Sequence, residues 1–350
     1  MTSDVTRPPL RTVSDTDPIY SSVAVDPERN EVVLIDTNTF GVRTFSRTEN
    51  TPAEKRASVP NHTVQGPKTH LEFDNGLYID PKTGDVTTVA ADNDWLVTFP
   101  HGAEGDTEPS RTLKVTHRAY ALAVNEEKQE MYISIQYPPQ IAIYHKNASG
   151  DDKPVRLLKG EHTLLSDVHG MAIDTRSKLI LADNWGHISN ELVAGTGRFE
   201  LPSISIYPLD ADGDTPPLRV IQGPKTQLNW PAMVAADPAT GDLFVANDLG
   251  ASVLVFHETD QGDVAPYRVI KGSKTGLRNP TGVSVDLKNQ ELWVSNLGNS
   301  SAEAFALNAK GNQAPLRTIR TAPVTKLSLK FGKPSGTAYD TKREQLLVAN

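Results

Sequence analysis

The chain has 350 residues, and its 35 Lys and Arg against 43 Asp and Glu give a formal charge of −8. Such a chain is not drawn to phosphate backbones or anionic lipid unless it carries a local basic patch, and the sequence shows none. It contains no cysteine, which excludes disulfides, thiolate metal sites and thiol nucleophiles. Hydrophobic residues make up 37% of the chain, which is enough for a large core. We therefore expect a folded, soluble protein that binds no nucleic acid.

Residues 1–10 lack a basic segment followed by an apolar run, so no secretory signal peptide is expected in the chain as given. No apolar stretch reaches the roughly 18 residues of a membrane-spanning helix. The sequence therefore predicts no membrane span and leaves the compartment open.

A short apolar segment that ends in Asp or Asn recurs seven times along the chain. The copies are at 23–26, 77–80, 122–125, 171–174, 234–237, 283–286 and 337–340. Their last residues lie about 52 positions apart on average, a period typical of the four-stranded blades of a β-propeller.

Two further β-rich runs follow in each complete repeat, and in five of the repeats a Pro-x-Arg signature comes after them. In one of its five copies, Gly213 precedes Pro217 and Arg219, and the Gly-to-Pro spacing is the same in all five. Proline lacks a backbone donor that an interior strand needs, so the signature predicts the outer, edge strand of each blade. The Asp that ends each first strand is expected to cap the following turn.

The two ends of the chain complement each other. The seventh repeat stops after its second strand, while Pro-Leu-Arg at 9–11 is an outer-strand signature with no repeat before it. We therefore predict one all-β domain over 1–350, a seven-bladed β-propeller whose last blade is closed by the N-terminal strand; a six-bladed ring is the alternative. The predicted repeats are 20–73, 74–118, 119–168, 169–231, 232–280, 281–334, and 335–350 completed by 1–19.

The pattern resembles the bacterial NHL/YVTN-type β-propeller repeat proteins. The best match is Asp237, then Leu-Phe-Val-Ala-Asn at 243–247 and Val-Leu-Val-Phe at 253–256. This superfamily includes protein-binding scaffolds, gluconolactonase-like hydrolases and streptogramin-lyase-like enzymes, so the resemblance carries the fold further than the function. It also implies an extracytoplasmic or cell-surface location.

Polar residues close the second strands, at the end of the ring where the first strands begin. Oxygen-bearing side chains around a channel suit Ca²⁺ or Mg²⁺, and the gluconolactonase-like relatives bind a divalent metal there. The predicted ligands are Asp36, Asp183, Asn247 and Asn296. No Glu stands at the matching positions, and capping of the turns is the alternative role.

Two of the nine histidines fall on the same predicted face, in the fourth repeat. His169 begins the first strand, and His187 follows the second. Histidine is the acid–base side chain best suited to neutral pH, so these two are the candidate catalytic residues. The fourth repeat is also the longest, with its extra residues at 186–201, a loop that could overhang the channel as a lid.

Aromatic and basic residues near the same face are candidate ligand contacts, or they plug the channel mouth. They are Arg118, Tyr120, Tyr137, Trp185 and Trp230. The arginines of Pro-x-Arg recur in nearly every repeat, which favours packing along blade edges.

Three functions remain open from the sequence. The favoured one is a binding module, expected to be a monomer, that holds a protein or small-molecule ligand on its loop-rich face. The alternative is a metal-assisted hydrolase or lyase with its site on that face. The third is a structural segment of a larger surface protein.

Overall fold

The computed structural model describes residues 6–7, 11–15, 20–189, 193–299, 301–319, 336–340 and 342–349. The described regular structure is almost entirely β-strand. Its helices are three single 3₁₀ turns, at Pro67–Thr69, Glu161–Thr163 and Pro224–Thr226. The predicted all-β class is confirmed. None of the described helices is long and apolar enough to cross a membrane.

Six sheets contain four successive antiparallel strands, which we call blades 1 to 6 in chain order. Blades 1 to 3 comprise β2 (Tyr20–Asp26), β3 (Glu31–Asp36), β4 (Gly41–Ser46) and β5 (His62–Gln65); β6 (Asp74–Ile79), β7 (Val86–Ala90), β8 (Trp95–Phe99) and β9 (Arg111–Lys114); and β10 (Ala119–Asn125), β11 (Glu130–Ile135), β12 (Gln140–His145) and β13 (Arg156–Leu158).

Blade 4 carries an additional two-stranded hairpin, and blade 6 carries an additional strand. Blades 4 to 6 comprise β14 (Val168–Asp174), β15 (Leu179–Asn184), β18 (Ser203–Pro208) and β19 (Arg219–Gln222), with the hairpin β16 (His187–Ile188) and β17 (Arg198–Phe199); β20 (Pro231–Asp237), β21 (Asp242–Asn247), β22 (Ser252–His257) and β23 (Arg268–Ile270); and β24 (Pro280–Asp286), β25 (Glu291–Asn296), β26 (Ser301–Ala306) and β27 (Arg317–Ile319), joined by β1 (Thr6–Arg7).

The first strands of successive blades contact one another in chain order. A further sheet of two strands, β28 (Gly336–Asp340) and β29 (Gln345–Ala349), completes the circle, because β28 contacts both β24 and β2. The sheets therefore form a closed ring around a central channel, which is the arrangement of a β-propeller.

The number of complete blades is six, as the six-bladed alternative has it. The seven-bladed arrangement is not confirmed, because in the described residues the seventh repeat forms only the β28–β29 pair. Residues 9 and 10 of the predicted closing strand lie outside the described part of the chain. The described N-terminal residues nevertheless contact both neighbouring blades: β1 pairs in parallel with β27, and the Thr12 carbonyl accepts a 2.7 Å hydrogen bond from Thr51 N–H in blade 1.

The hydrophobic core is divided among the interfaces between consecutive blades, which we call seams. One buried cluster fills each of the five seams from blade 1 to blade 6. In the seam of blades 3 and 4, for example, Tyr132 and Ile143 pack with Ile180 and Tyr207. The repeating apolar strands thus bury their side chains against the next blade, so each blade depends on its neighbours.

The Gly-Asp turn before each outer strand ties its blade to the preceding one. Gly150, with φ of 59°, forms a parallel bridge to Leu113 of blade 2, a conformation that glycine adopts without strain. In blade 2, Asp106 accepts a 2.8 Å hydrogen bond from Lys68 N–H. Lys68 lies in the Gly-Pro-Lys-Thr segment at 66–69, which leads from blade 1 to blade 2; we call this segment and its equivalents in other blades the connector.

The Pro-x-Arg arginines begin the outer strands, as predicted, and four of them reach across a seam. Arg111 donates to the carbonyl oxygens of Lys146 and Ala148 in blade 3, at 2.7 and 3.0 Å. Corresponding bonds join Arg156 to Leu209, Arg219 to Glu258, and Arg268 to Leu307 and Ala309. We call these four residues the seam arginines. The predicted role in packing along blade edges is confirmed by these contacts.

Candidate functional site

A β-bulge lies near the start of the first strand in every complete blade. The pairing register places one extra residue on the first strand at this point. The bulge residues are Ser21, Asn75, Tyr120–Ala121, His169–Gly170, Ala232 and Thr281. All six bulges lie at the end of the ring where the second strands terminate, which we call the mouth face. Bulges re-aim side chains and are frequent beside functional sites, so this ring is the frame of the candidate site.

Aromatic side chains form a continuous row over blades 3, 4 and 5 on the mouth face. The rings of Tyr120 and His169 have centroids 4.7 Å apart, and His169 lies flat on Trp185 at 3.5 Å and 3°. Trp185 in turn stacks on Trp230 at 4.6 Å. We call Tyr120, His169, Trp185 and Trp230 the aromatic row. Both faces of Trp185 are covered, and its indole N–H donates to the Pro231 carbonyl at 2.8 Å, so Trp185 holds its neighbours in place.

The carboxylate of Asp167 joins the two predicted catalytic histidines. Oδ1 lies 3.0 Å from Nδ1 of His169 and accepts a 3.1 Å hydrogen bond from the Gln136 amide. Oδ2 accepts a 2.6 Å hydrogen bond from the Tyr137 hydroxyl, whose oxygen is 2.9 Å from Nδ1 of His187. Asp167 itself is buried, with φ of 51° immediately before β14. The histidines therefore belong to one hydrogen-bonded network that spans blades 3 and 4.

The long loop of the fourth repeat forms the hairpin β16–β17, in which His187 pairs with Phe199. Their rings stack at 5.0 Å, and the ring of His187 also contacts that of Tyr137 at 5.0 Å. The hairpin thus contacts blade 3 through His187. Its apolar side chains remain outside, with Phe199 84% exposed. Whether it closes over the channel, as the sequence predicted, involves residues 190–192, which lie outside the described part of the chain.

Burial changes the ionisation of Tyr120. It raises the pKa of the Tyr120 hydroxyl, and the nearby Asp167 carboxylate raises it further. The hydroxyl of Tyr120, which is neutral at physiological pH like any tyrosine hydroxyl, therefore stays a hydrogen-bond donor to higher pH.

Asp183 does not lie where the sequence interpretation placed it. The register pairs Val168 with Asn184, as Pro231 pairs with Asn247, so Asn184 and not Asp183 ends the second strand of blade 4. Because side chains alternate along a strand, Asp183 and Asn184 point to opposite faces of the sheet of blade 4. It is fully buried, and neither carboxylate oxygen has a hydrogen-bond partner among the described residues. Burial raises its pKa well above the usual value.

The other three predicted metal ligands each serve their own blade. Asp36 accepts a 3.0 Å hydrogen bond from Asn38 N–H and pairs with Arg43. Asn247 and Asn296 accept hydrogen bonds, at 2.6 and 2.9 Å, from backbone N–H groups eighteen residues earlier, in the connector. Among the described residues, no three His, Asp or Glu side chains form a group that could hold a metal ion. The metal site stays a prediction, and the geometry adds nothing in its favour.

Arg118 lies beside the site and is engaged with a carboxylate. Its guanidinium pairs with Asp92 at 2.9 Å, and its φ of 65° matches that of Asp167 and Trp230 at equivalent positions of blades 4 and 5. The structure thus brings together Tyr120, Tyr137, His169, Trp185, His187 and Trp230. It does not join Asp36, Asn247 or Asn296 to them.

The sequence interpretation missed the roles of three residues of the site. Gln136 bridges Asp167 and His169, Asp167 is the centre of the hydrogen-bonded network, and Gly170 leaves space for the Asp183 carboxylate. A Cβ on Gly170 would stand 2.1 Å from Asp183 Oδ2. Asp167 stands directly before the first strand of its blade, at a left-handed position. Side-chain type does not reveal this position, because Arg118, Trp230 and Asn279 occupy it in other blades.

No protein-family model matches the chain, and no curated protein matches it. Among solved structures, it is similar to the crystal structure of the WD40 β-propeller domain of Doa1, with a TM-score of 0.66. The match covers 97% of this chain and 92% of that one at 12% sequence identity. A likeness at this identity shows the fold alone, a β-propeller. The NHL/YVTN family is not confirmed by any family match.

Proposed function

We propose that this β-propeller is a binding module that holds an extended segment of a partner protein on the mouth face of blades 3 to 5. The observation that carries the proposal is the break in the repeat at this place. Here the regular loops give way to the hairpin β16–β17, and the aromatic row and the Asp167 network stand beside it. A rigid scaffold with one irregular, loop-rich region commonly uses that region for recognition.

The exposed side chains of this region favour a protein partner. Trp230 is 44% exposed, Leu249 in the same blade 50%, and Phe199 on the hairpin 84%. Eight of the fifteen exposed large apolar side chains in the described chain lie on loops of the mouth face. Such anchors contribute most of the binding energy in protein interfaces when a partner covers them.

Charge adds a preference for a basic partner segment. The Glu200 carboxylate lies next to Phe199 in the chain, in an exposed pair with Arg198, and the protein as a whole is acidic. Negative potential around an apolar centre speeds association with basic partners and selects against acidic ones. The partner segment we propose therefore carries an apolar side chain next to Lys or Arg.

The hydrolase or lyase alternative has less support. A general base needs a free ring nitrogen within reach of substrate. The two ring nitrogens of His169 lie 3.4 and 3.1 Å from the Gln136 amide nitrogen, and Trp185 covers one ring face. This arrangement favours a structural role for His169 in the site.

We also propose, on the sequence pattern at 243–256, that the chain belongs with the NHL/YVTN-type propellers.

The experiment is site-specific photo-crosslinking in extracts of the source cell, followed by affinity measurement with the captured partner. A photo-reactive residue is placed at position 199 and, as the control, at position 218 on the outer edge, where Leu218 is also exposed, at 49%. A partner is accepted only if it is captured from position 199 and not from 218.

The decisive measurement is then the dissociation constant of that partner with purified variants. Trp230→Asn keeps the left-handed backbone, because Asn279 occupies the same place in blade 6 with φ of 46°. We expect it to weaken binding by roughly thirtyfold or more, the effect of losing a central anchor. Leu218→Ala should leave the affinity unchanged. Equal affinity of Trp230→Asn and the parent protein would overturn the proposal.

A further inference from the structure

The seam between blades 1 and 2 lacks the arginine that crosses the other complete seams. In the register of the third and outer strands, His62 pairs with Thr44 as Arg111 pairs with Thr98 and Arg156 with Ile143. His62 therefore stands at the place of a seam arginine. Its Nδ1 lies 3.5 Å from the Glu104 carboxylate, its ring meets the edge of the His101 ring at 6.2 Å, and the side chain remains partly exposed.

The backbone around this position is the same as in the other seams. Gly105 N–H donates to the Thr63 carbonyl at 2.7 Å, as Gly150 N–H donates to that of Thr112 at 2.6 Å. Ala103 N–H donates to the Pro100 carbonyl at 3.1 Å, and the corresponding bonds in blades 3 and 6 are 3.0 and 2.8 Å. The two seams therefore differ mainly in their side chains.

The acceptors that a seam arginine uses are present here without their donor. Arg111 donates to the Thr98 hydroxyl and to two carbonyl oxygens. The equivalent acceptors in the first seam are the Thr44 hydroxyl and the carbonyls of His101 and Ala103. Among the described residues, none of these three oxygens accepts a hydrogen bond from a side chain or from a residue of another loop.

A carboxylate completes the set. Glu130 holds Arg156 with two bonds of 2.7 and 2.9 Å, and Asp242 holds Arg268 at 3.0 Å. Glu31 is the equivalent residue of blade 1, since it pairs with Asp26 as Glu130 pairs with Asn125. In the first seam the Glu31 carboxylate contacts His101 Nε2 at 2.8 Å and, among the described residues, no other side chain.

A small cavity that opens to solvent lies at this point. Its lining is mixed: Val64, Val86 and Phe99 are apolar, whereas Glu31 and His62 are polar. Such a lining suits an arginine-like group, whose methylene stem packs on apolar surface while its head makes hydrogen bonds. Arg29 is the nearby cation, and it is already bound to Asp26 at 2.7 Å and to the Lys82 carbonyl at 2.7 Å.

We propose that this cavity is a binding site for a guanidinium group, supplied by a ligand in place of the missing seam arginine. Glu31 would hold the charge, and the Thr44 hydroxyl with the carbonyls of His101 and Ala103 would take the remaining N–H groups. Guanidinium presents its donors in a fixed plane, which matches several acceptors around a cleft better than an ammonium does. The site lies at the opposite end of the ring from the mouth face.

The test is calorimetric titration of the full chain with agmatine, a guanidinium on a short alkyl stem, at millimolar concentration. We expect saturable binding with one site per chain. His62→Arg supplies the guanidinium from within the fold, so it should weaken agmatine binding at least tenfold and raise the temperature of unfolding. His257→Arg adds the same charge on blade 5 without filling the cavity and should bind like the parent protein.

A further variant keeps the result interpretable. Glu31→Gln should weaken binding at least fivefold while the cavity stays open. Absence of saturable binding, or equal binding by the parent and His62→Arg, would overturn the proposal. Saturation by Zn²⁺ but not by agmatine would also overturn the proposal, because that result would assign His62 and His101 to a metal site.

A second titrant distinguishes the two sources of the guanidinium group, a partner protein and a free small molecule. A peptide with one arginine between glycines, blocked at both ends, tests an arginine side chain of a partner protein, whereas agmatine tests a free small molecule. Binding of the peptide at least as tight as that of agmatine assigns the site to protein recognition. Binding of agmatine alone assigns it to a small guanidinium compound.

Discussion

Gly170 leaves the space into which Asp183 places its carboxylate. A Cβ on Gly170 would stand 2.1 Å from Oδ2 of Asp183 and 3.0 Å from the carbonyl oxygen of Ala232 in the next blade. The contact joins the bulge of β14 to a buried carboxylate on β15 and to the first strand of blade 5. The mouth face of blades 4 and 5 thus rests on a position where even one methyl group does not fit.

Gly170→Ala should therefore lower the free energy of unfolding by about 1–3 kcal/mol, the usual cost of adding a methyl group to a packed site. Urea unfolding measures the change. Gly197→Ala is the matched control, because a Cβ there meets only His187 Nε2 at an ordinary 3.7 Å. Equal midpoints for the two variants would show that Asp183 moves aside without cost.

Asp183 should make the protein less stable as the pH rises. Burial raises its pKa well above the unfolded value, so between the two values the folded chain keeps a proton that the unfolded chain releases. The free energy of unfolding therefore falls as pH rises through this window. Asp183→Asn is neutral throughout, so it should be more stable than the parent at pH 8, with a difference that shrinks toward pH 4. Urea unfolding across this range measures it, and a pH-independent difference would contradict the argument.

Asp74 acts in the same direction within blade 2. Burial raises the pKa of its carboxyl to about 7, against the hydrogen bonds from Glu72 N–H and the Thr88 hydroxyl, which lower it. Part of the pH dependence will therefore persist in Asp183→Asn. Asp36→Asn, which removes the charge paired with Arg43 at 3.1 Å, is the control for a buried carboxylate that has an ion-pair partner.

Much of the fold could be predicted because each repeat contains residues that strongly determine the structure of the few residues around them. Proline and arginine mark each outer strand, as at Pro154 and Arg156, and the terminal Asp of each first strand caps its turn, as Asp237 does for Ala239 N–H at 2.8 Å. These roles depend on the next few residues only. The number of complete blades was harder, because it depends on how the two ends of the chain meet.

The candidate site was predicted in part. The aromatic residues and His169 were found because they interrupt a regular pattern at loop positions. Asp183 was assigned to the wrong strand face because Asp and Asn are adjacent at 183–184, and a shift of one residue in register reverses the face. Asp167 was missed because its role arises from contacts with blade 3, and such contacts between repeats leave no local signal.

The seam arginines should be a major source of stability. Arg156 holds Glu130 with two charge-assisted bonds, and both lie in the seam of blades 3 and 4. Arg156→Ala leaves that carboxylate buried without its partner and should lower the free energy of unfolding by about 3 kcal/mol. Arg198→Ala removes an exposed pair with Glu200 and should change it by less than about 0.5 kcal/mol. Comparable losses in both variants would contradict the assignment.

The hairpin β16–β17 should be released by loss of one hydroxyl. Tyr137 donates to Asp167 and contacts His187, so Tyr137→Phe cuts the link between blade 3 and the hairpin. We expect faster hydrogen–deuterium exchange in residues 193–199, with the global free energy of unfolding lowered by only about 1 kcal/mol. Tyr144→Phe, on the third strand of the same blade, should leave exchange in the hairpin unchanged. Unchanged exchange in Tyr137→Phe would show that other contacts hold the hairpin.

Asn247→Asp separates the two interpretations of the polar residues that end the second strands. The Asn247 amide donates to the Gln227 carbonyl and the Ser252 hydroxyl, each at 3.0 Å, while its oxygen accepts from Asn229 N–H. A carboxylate keeps the acceptor but sets an oxygen against the Gln227 carbonyl, so the free energy of unfolding should fall by about 2 kcal/mol. For a metal ligand the same change would strengthen binding, because Ca²⁺ and Mg²⁺ prefer carboxylates. Thermal unfolding with EDTA and with each ion measures this, and recovery of Asn247→Asp by Ca²⁺ or Mg²⁺ would favour the metal site over the connector role.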